Sequence, residues 1–449
     1  MSNKITRRNF VRQTAMGGVA LSATTLGFNA KSYARIMGAN DRVNCAMLGT
    51  YRRFGALAPS VSKCDDAGMI YVSDVDSRRM DKGAEAVKKL TGTSPKKEKD
   101  LRKIIEDKDV DAVFVAIPDH WHAAASWLAL DAGKHVYVEK PCSHNPREGE
   151  ILIALQQKYG KVVQMGNQQR SAPESQEIIS EIHGGGIGEV YLAKAFYSNG
   201  RGRVDNAKKT AVPDYLDWDL FQGPAPRTDF IDIVADYNWH WFWEWGTGET
   251  GNNATHELDV ARWALQVEYP DAVYVNAGKR HFKDDPWVMY DTMDATFEFK
   301  GGTKTIMWDG KSRSNYNTYG SDRGTVIYGS EGTVFVNRSG YKLYDRNGTL
   351  VRERKSRGEE GSTGLGGGGD MTTLHVQNFF DAIRGKAAQN SPIREGSLSA
   401  NLSHYANISY RAGNAHLLVN PLNGRFLNKK IQKKYWGRTY EPGWEPPQI

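Results

Sequence analysis

Asp111-Ala-Val-Phe-Val-Ala-Ile-Pro-Asp-His-Trp-His122, continued by Lys134-His-Val-Tyr-Val-Glu-Lys-Pro141, reads as two parallel strands joined by one helix. Residues 112–117 form a short apolar run, rich in β-branched side chains, that stops at Pro118. A strand buried on both faces has this pattern. Residues 121–131 are apolar at helical spacing, and Gly133 ends them. Residues 135–138 make the second buried strand, so Glu139-Lys140-Pro141 falls just past its carboxyl end. Doubly wound sheets bind ligands at that edge. Lys140 there can set a cation against a substrate oxygen; the plainer alternative is a solvated lysine flanking a helix that opens with Pro141.

Working outward, residues 42–48 read as another buried strand, followed by Gly49-Thr-Tyr-Arg-Arg-Phe-Gly55 and a helix from about Ala56. Residues 69–73 are the next strand, ended by Asp74. Strand, tight turn, helix, strand and acid is the order of a dinucleotide site. Asp74 is placed to accept hydrogen bonds from adenosine ribose hydroxyls, which favours NAD, while Arg78 and Arg79 keep NADP open. Gly49 fits the first fingerprint position, but Tyr51 and Phe54 hold the second and third, where glycines normally admit the pyrophosphate and let helix and strand pack closely. These two side chains either cover a bound nucleotide or block it. Arg53, in the same turn, is a further candidate cofactor contact.

Pro118, Asp119, His120, Trp121 and His122 form a turn that caps a helix. No acid or cysteine stands near His120 and His122 at a metal-site spacing, so Pro118 and His122 are read as lining the cofactor pocket, with Glu139 and Lys140, and no metal is expected. A helix over 145–159 and a strand over 161–165 close this first domain, residues 41–165.

The length of 449 residues suggests two domains, and 39% hydrophobic content with 11% aromatics marks a globular chain. Residues 1–34 hold Lys4, Arg7, Arg8, Arg12 and Lys31 and no acid. The remainder has 54 basic against 52 acidic side chains, a net charge of +2 instead of +7, which excludes nucleic acid as a partner. Thr6-Arg-Arg-Asn-Phe-Val-Arg12, an apolar run over 15–28 too short for a permanent anchor, and Ser32-Tyr-Ala34 make a twin-arginine signal. The expectation is a periplasmic protein exported folded, with no membrane span in the mature chain. Cys45, Cys64 and Cys142 form no disulfide framework.

The chain resembles the glucose-fructose oxidoreductase, inositol dehydrogenase and rhizopine-catabolism (Gfo/Idh/MocA) family. The resemblance is carried by Pro118-Asp-His-Trp-His122, Glu139-Lys-Pro141, Gly188-Glu-Val190 and Gly251-Asn-Asn-Ala-Thr-His-Glu-Leu-Asp-Val-Ala-Arg-Trp263. Ser330-Glu-Gly-Thr333 and His375-Val-Gln-Asn-Phe-Phe-Asp-Ala-Ile-Arg384 add to it. It implies an α/β fold with an N-terminal Rossmann domain, a doubly wound parallel sheet, and a C-terminal α/β domain on a mostly antiparallel open sheet facing the nicotinamide. It also implies hydride transfer with a carbohydrate-like substrate and a lysine-plus-histidine pair, Lys140 and His256. Where the family often has an aspartate one turn before that histidine, this chain has Asn252, an amide that can orient but cannot act as base.

Read directly, residues 191–197, 272–277, 294–299, 303–308 and 325–328 are strands of the second domain, residues 166–413, and pair antiparallel because few helices intervene. His256 opens a helix after a glycine-rich loop, where the dipole should lower its pKa and leave a neutral imidazole able to take a proton. Asn238-Trp-His-Trp-Phe-Trp-Glu-Trp245 offers Trp241, Trp243 and Trp245 either as a platform for sugar C–H faces or as core. Residues 355–369 form a flexible loop by composition, and helices follow over 371–384 and 397–411. The tail, residues 414–449, is expected to wrap a surface or a neighbouring subunit of a homo-oligomer. The leading function is an exported NAD(P)-dependent oxidoreductase taking hydride from a carbohydrate hydroxyl, its cofactor tightly held. Two alternatives stand beside it: an NAD-dependent glycosidase working by transient oxidation and elimination on a glycoside, and a sugar-binding protein on a decayed dehydrogenase scaffold.

Overall fold

Short apolar runs followed by helices build the first layer of the molecule. The computed structural model describes residues 42–205, 207–356 and 369–449. The signal segment, residues 1–34, and residues 357–368 of the glycine-rich loop lie outside the described residues. Strands β1 (Val43–Leu48), β2 (Ala67–Ser73), β3 (Lys96–Lys97), β4 (Ala112–Val115), β5 (His135–Val138) and β6 (Val163–Met165) form a six-stranded sheet in the order β3-β2-β1-β4-β5-β6. All its pairings are parallel. Parallel strands need crossovers, supplied by α1 (Phe54–Ser62), α2 (Ser77–Thr91), α3 (Leu101–Glu106), α4 (Asp119–Asp131) and α5 (Pro146–Tyr159). The ends are set locally: the Asp76 carboxylate accepts from the Arg78 amide at the start of α2, and Asn145 caps α5 ahead of Pro146.

Past α6 (Pro173–His183), strand β7 (Val190–Gly200) enters a ten-stranded sheet, and α7 (Trp218–Gln222) and α8 (Thr255–Leu265) precede the rest of it. The later strands are β8 (Ala272–Gly278), β9 (Thr292–Phe299), β10 (Lys304–Lys311), β11 (Arg313–Ser314), β12 (Arg323–Gly329), β13 (Gly332–Asn337), β14 (Gly340–Asp345), β15 (Leu350–Lys355) and β16 (Leu417–Leu418). Its order is β15-β14-β13-β12-β7-β10-β9-β8-β16, with β11 beside β7. Pairing is antiparallel except for β7 with β10. That parallel pair was not expected; its crossover contains α7, α8 and two strands, which residue patterning within β7 does not reveal. The alternating burial of β9 and β10 leaves one face in the core, around Phe297 and Trp308, and the other open.

The two layers share elements. Helix α9 (Gly369–Ile383) sends Val376, Phe379 and Phe380 onto the first sheet beside α1, among Phe54, Phe114 and Tyr137. Helix α10 (Ile393–Arg411) places Ile393 and Ala400 in the core under α4 and α5. After α11 (Lys429–Tyr435) the tail lies on the chain's own surface: Trp444 meets Trp121 edge-on at 4.9 Å, and Arg438 pairs with the buried Glu148 at 2.9 Å.

Phe54 corrects one expectation. It opens α1 and is only 6% exposed, packed between that helix and the sheet, so it neither covers nor blocks a nucleotide. Tyr51, at 40% exposed, stands alone in that role. Phe54→Ala should therefore cost about 3–5 kcal/mol of stability, the usual range for a buried aromatic, read as a lower denaturant midpoint at unchanged slope.

Candidate active site

A cleft runs along the carboxyl ends of β1, β2, β4 and β5. Gly49 turns the chain out of β1 at φ +92°, and a Cβ there would lie 2.3 Å from the Ala116 carbonyl oxygen, so only glycine fits. The Asp74 carboxylate, past β2, accepts from the Thr50 amide and hydroxyl, each at 2.9 Å, and from the Asp76 amide at 3.0 Å. Burial raises its pKa. An ionised carboxylate has about four acceptor positions; three are used, and one remains to face the cleft. All eight expected cofactor contacts, Gly49, Tyr51, Arg53, Asp74, Pro118, His122, Glu139 and Lys140, line this cleft.

The residues present fit NAD. Among the described residues, one buried nitrogen of Arg53, Nη2, has no hydrogen-bond partner and can serve an acceptor such as a phosphate. Helix α1 begins at the cleft, where a helix N-terminus favours an anion. Arg78 is held by Asp76 at 2.8 Å and lies on the Tyr215 ring, and Arg79 lies 4.0 Å over the Tyr51 ring and pairs with Asp236. With Asp74 in place and both arginines engaged, the adenosine end suits a ribose hydroxyl, not a 2′-phosphate.

Glu139 and Lys140 leave β5 in opposite roles. Glu139 is buried, accepts from Arg53 Nε at 2.7 Å and from Gln168 Nε2 at 2.9 Å, and so ties α1 to β5. Lys140 points the other way, its ammonium donating to the backbone carbonyl of Asn252 and approaching the Asn252 side-chain oxygen at 3.4 Å. Burial brings the Lys140 pKa down to about 8, against Asp119 and Glu139, which oppose the fall. His122 stands behind this turn, its ring nitrogens 2.6 Å from the Pro141 carbonyl oxygen and 2.7 Å from that of Ile117. Neither nitrogen is left for a metal, and His120 is likewise occupied by the Trp245 and Phe221 carbonyls. No metal-binding cluster occurs among the described residues.

Lys140, Asn252 and His256 line one further cavity of about 290 Å³. Lys140, Asn252, Arg53 and Tyr237 also line the nucleotide cleft, so the two spaces share a wall. His256 is buried and makes no hydrogen bond among the described residues. Its pKa lies well below the usual value because of burial first, then Arg338, Lys140, Arg323 and Arg53. The expected direction holds, but the expected cause does not. A π-helical turn, Thr250–Ala254, runs straight into α8, so His256 sits more than a turn inside a continuous helix and the dipole is not the main term. Asn252 is fixed by that turn: its amide nitrogen donates to Tyr237 Oη at 3.1 Å and to Glu249 at 3.2 Å.

Trp241 and Trp245 are core, not platform. Trp241 is 2% exposed and stacks on Trp287 at 4.1 Å, and Trp245 is buried against Trp218. Trp243 packs against Tyr410 and Arg411, beside a different cavity. Packing a dense run of indoles inside a domain gains more burial than exposing them to sugar. Instead Tyr237, Trp239 and His240, just ahead of the buried tryptophans, line the cleft. Sequence reading also missed Arg201, Arg323 and Arg338 on the second cavity. Arg338 sits in the hairpin between β13 and β14, where an arginine looks like any solvated turn residue.

Three comparisons with known proteins agree on the family and the fold. Residues 43–167 match the oxidoreductase family with NAD-binding Rossmann fold, and residues 176–335 match the GFO/IDH/MocA C-terminal domain. The chain is 24% identical over 290 residues to the myo-inositol 2-dehydrogenase of Thermotoga maritima, covering 63% of this chain and 72% of that protein. It is 27% identical over 213 residues to a glycosyl hydrolase family 109 protein of Saccharopolyspora erythraea, covering 44% of this chain and 46% of that one. The fold is shared with levoglucosan dehydrogenase solved with NADH and levoglucosan, at a TM-score of 0.64 and 18% identity over 84% of this chain and 99% of the other. With both of its domain types matched in order and over more than half its length, this chain belongs to the Gfo/Idh/MocA family of NAD-binding oxidoreductases.

Proposed function

We propose that this protein oxidises a carbohydrate hydroxyl, with Lys140 and His256 acting on the reacting carbinol. The carrying observation is that Lys140 lies on the wall shared by the two cavities, while His256 faces only the second. When bound, NAD supplies a nicotinamide ring that accepts the hydride. The Lys140 ammonium stabilises the substrate oxygen as its proton leaves. The neutral His256 ring takes that proton as the C–H hydride departs and the carbonyl forms. Asn252 holds Lys140 in place and takes no proton. The dehydrogenase relatives support this reading, and the sugar-binding scaffold loses ground to a complete set of cleft contacts.

The reading extends to where the protein works. A twin-arginine signal sends a folded protein out of the cytoplasm, where free NAD is not expected to be supplied. The nucleotide then travels bound, and turnover is redox-neutral or uses a second sugar as acceptor. Tyr51, sandwiched with Arg79 at the cleft mouth, is the residue placed to slow its release.

His256→Ala should lower kcat by about 10²–10⁴, the usual contribution of a general base. In wild type, kcat/KM should fall as pH rises through about 8, where Lys140 loses its proton, with no limb near histidine's ordinary pKa. Lys140→Arg should remove that fall; an unchanged profile rejects Lys140 as the titrating cation. Phenol released from aryl glycosides without added NAD would instead move the assignment to the glycosidase. Protein purified from the exported fraction should retain nucleotide through prolonged dialysis, and Tyr51→Gly should lose it about two- to fivefold faster, the equivalent of a ~0.5–1 kcal/mol cation–π contact. Loss of all nucleotide from wild type would sink the retained-cofactor idea. Replacing Arg7 and Arg8 together with lysine should leave the full chain in the cytoplasm on fractionation; unchanged export would reject the signal.

A further inference from the structure

The second cavity is lined by Arg52, Arg53, Lys140, Arg201, Arg323 and Arg338. Most of this charge is spoken for. Arg53 pairs with Glu139 at 2.7 Å, Arg201 with Glu249 at 2.8 Å and Arg323 with Glu257 at 2.8 Å. Lys140 donates to Asn252, and Arg52 is exposed over the Tyr237 ring. Arg338 is different. It is largely withdrawn from water, yet its guanidinium makes no ion pair and no hydrogen bond among the described residues. Burial, then the neighbouring Arg323, pushes its pKa down to about 9. Among the described residues Asp322 also lines the cavity without an ion pair, and Glu139, Glu249 and Glu257 are each taken up by another arginine, which leaves Arg338 without a carboxylate partner there. A half-buried cation with no counter-ion among the described residues is available to an anion that enters the cavity.

We propose that this cavity takes a sugar acid, an aldonate or uronate whose carboxylate is gripped by Arg338 while one of its hydroxyls lies between Lys140 and His256. A guanidinium presents parallel N–H donors that match the two oxygens of a carboxylate, which a neutral sugar cannot use. The oxidation of that hydroxyl rests on the proposed function above; the recognition of the carboxylate does not. The positive charge draws the anion in and, added to burial, keeps His256 unprotonated to receive the hydroxyl proton.

The test uses the NAD-loaded full chain and calorimetry. The probes are D-glucuronate, D-galacturonate and D-gluconate, against D-glucose and D-galactose, with D-glucose 6-phosphate as the phosphate arm. At least one acid should bind roughly ten- to hundredfold tighter than its neutral parent, the range for a charge-assisted hydrogen bond. Arg338→Gln should abolish that preference while leaving the neutral parent's affinity within about twofold. Arg338→Lys should restore part of it, and an unchanged thermal midpoint shows that either variant folds. No acid preferred over its parent, or a preference intact in Arg338→Gln, overturns the proposal, and tighter binding of the phosphate overturns the carboxylate assignment. Absorbance of the reduced nicotinamide separates the two readings. Tight acid binding with no reduction by any sugar sinks the oxidation but keeps the anionic pocket. Reduction by neutral sugars alone keeps the oxidation and sinks the pocket.

Discussion

The ion pair between Arg53 and Glu139 is the constraint on which the rest of the site depends. Glu139 is buried at the carboxyl end of β5, and its charged partner within bonding distance is Arg53, from the turn that opens α1. Deleting one member of such a pair strands the other and typically costs about 3–5 kcal/mol. Gln168 completes the carboxylate, and Gly166 leaves room for it, since a Cβ there would sit 2.7 Å from Glu139 Oε1. Once Glu139 is fixed inward, strand alternation turns Lys140 outward. The lysine is thus aimed by its neighbour's burial.

The turn is held from both sides. His122, from the same layer, reaches the Pro141 carbonyl, while Asn252 takes the Lys140 ammonium and Thr247 donates its amide to Asp119 at 3.1 Å. Further back, Arg170 grips Asp259 of α8 at 2.8 Å, and Arg262 pairs with Glu395 of α10. Each of these bonds joins residues far apart in the chain and lies largely out of water. Side chains held this way need little reorganisation when a substrate arrives, which is where an enzyme gains most from its fold.

What could be read from the sequence follows from the range of the forces involved. The parallel strands were legible because a strand buried on both faces must be apolar throughout, as β4 and β5 are. Gly49, Asp74 and Lys140 were legible because topology alone sends them to one sheet edge. Phe54 was misread because a fingerprint position does not say whether its side chain turns to the cleft or to the helix–sheet interface. Trp241 and Trp245 were ambiguous because an aromatic run suits a core and a sugar platform equally. Arg338 was invisible: 82 residues separate it from His256, and only the hairpin's docking on β12 brings them to one cavity.

In the proposed reaction a histidine so hard to protonate can still serve as a base, for a reason that lies in the charge balance of the transfer. Moving a proton from a hydroxyl to an imidazole transfers one positive charge over a short distance. A uniform positive potential lowers the proton affinity of both groups alike and leaves the transfer energy unchanged. Only the difference in potential between oxygen and ring matters. Lys140 is placed to favour the alkoxide but also acts on the ring, after Arg338 and ahead of Arg323, and on the ring all three work against the transfer. An anion bound at Arg338 would cancel part of the opposing field and leave the Lys140 contribution standing. On this reasoning the substrate's own charge would raise the basicity of His256, so a group far from the reacting carbon would contribute to the chemical step as well as to binding.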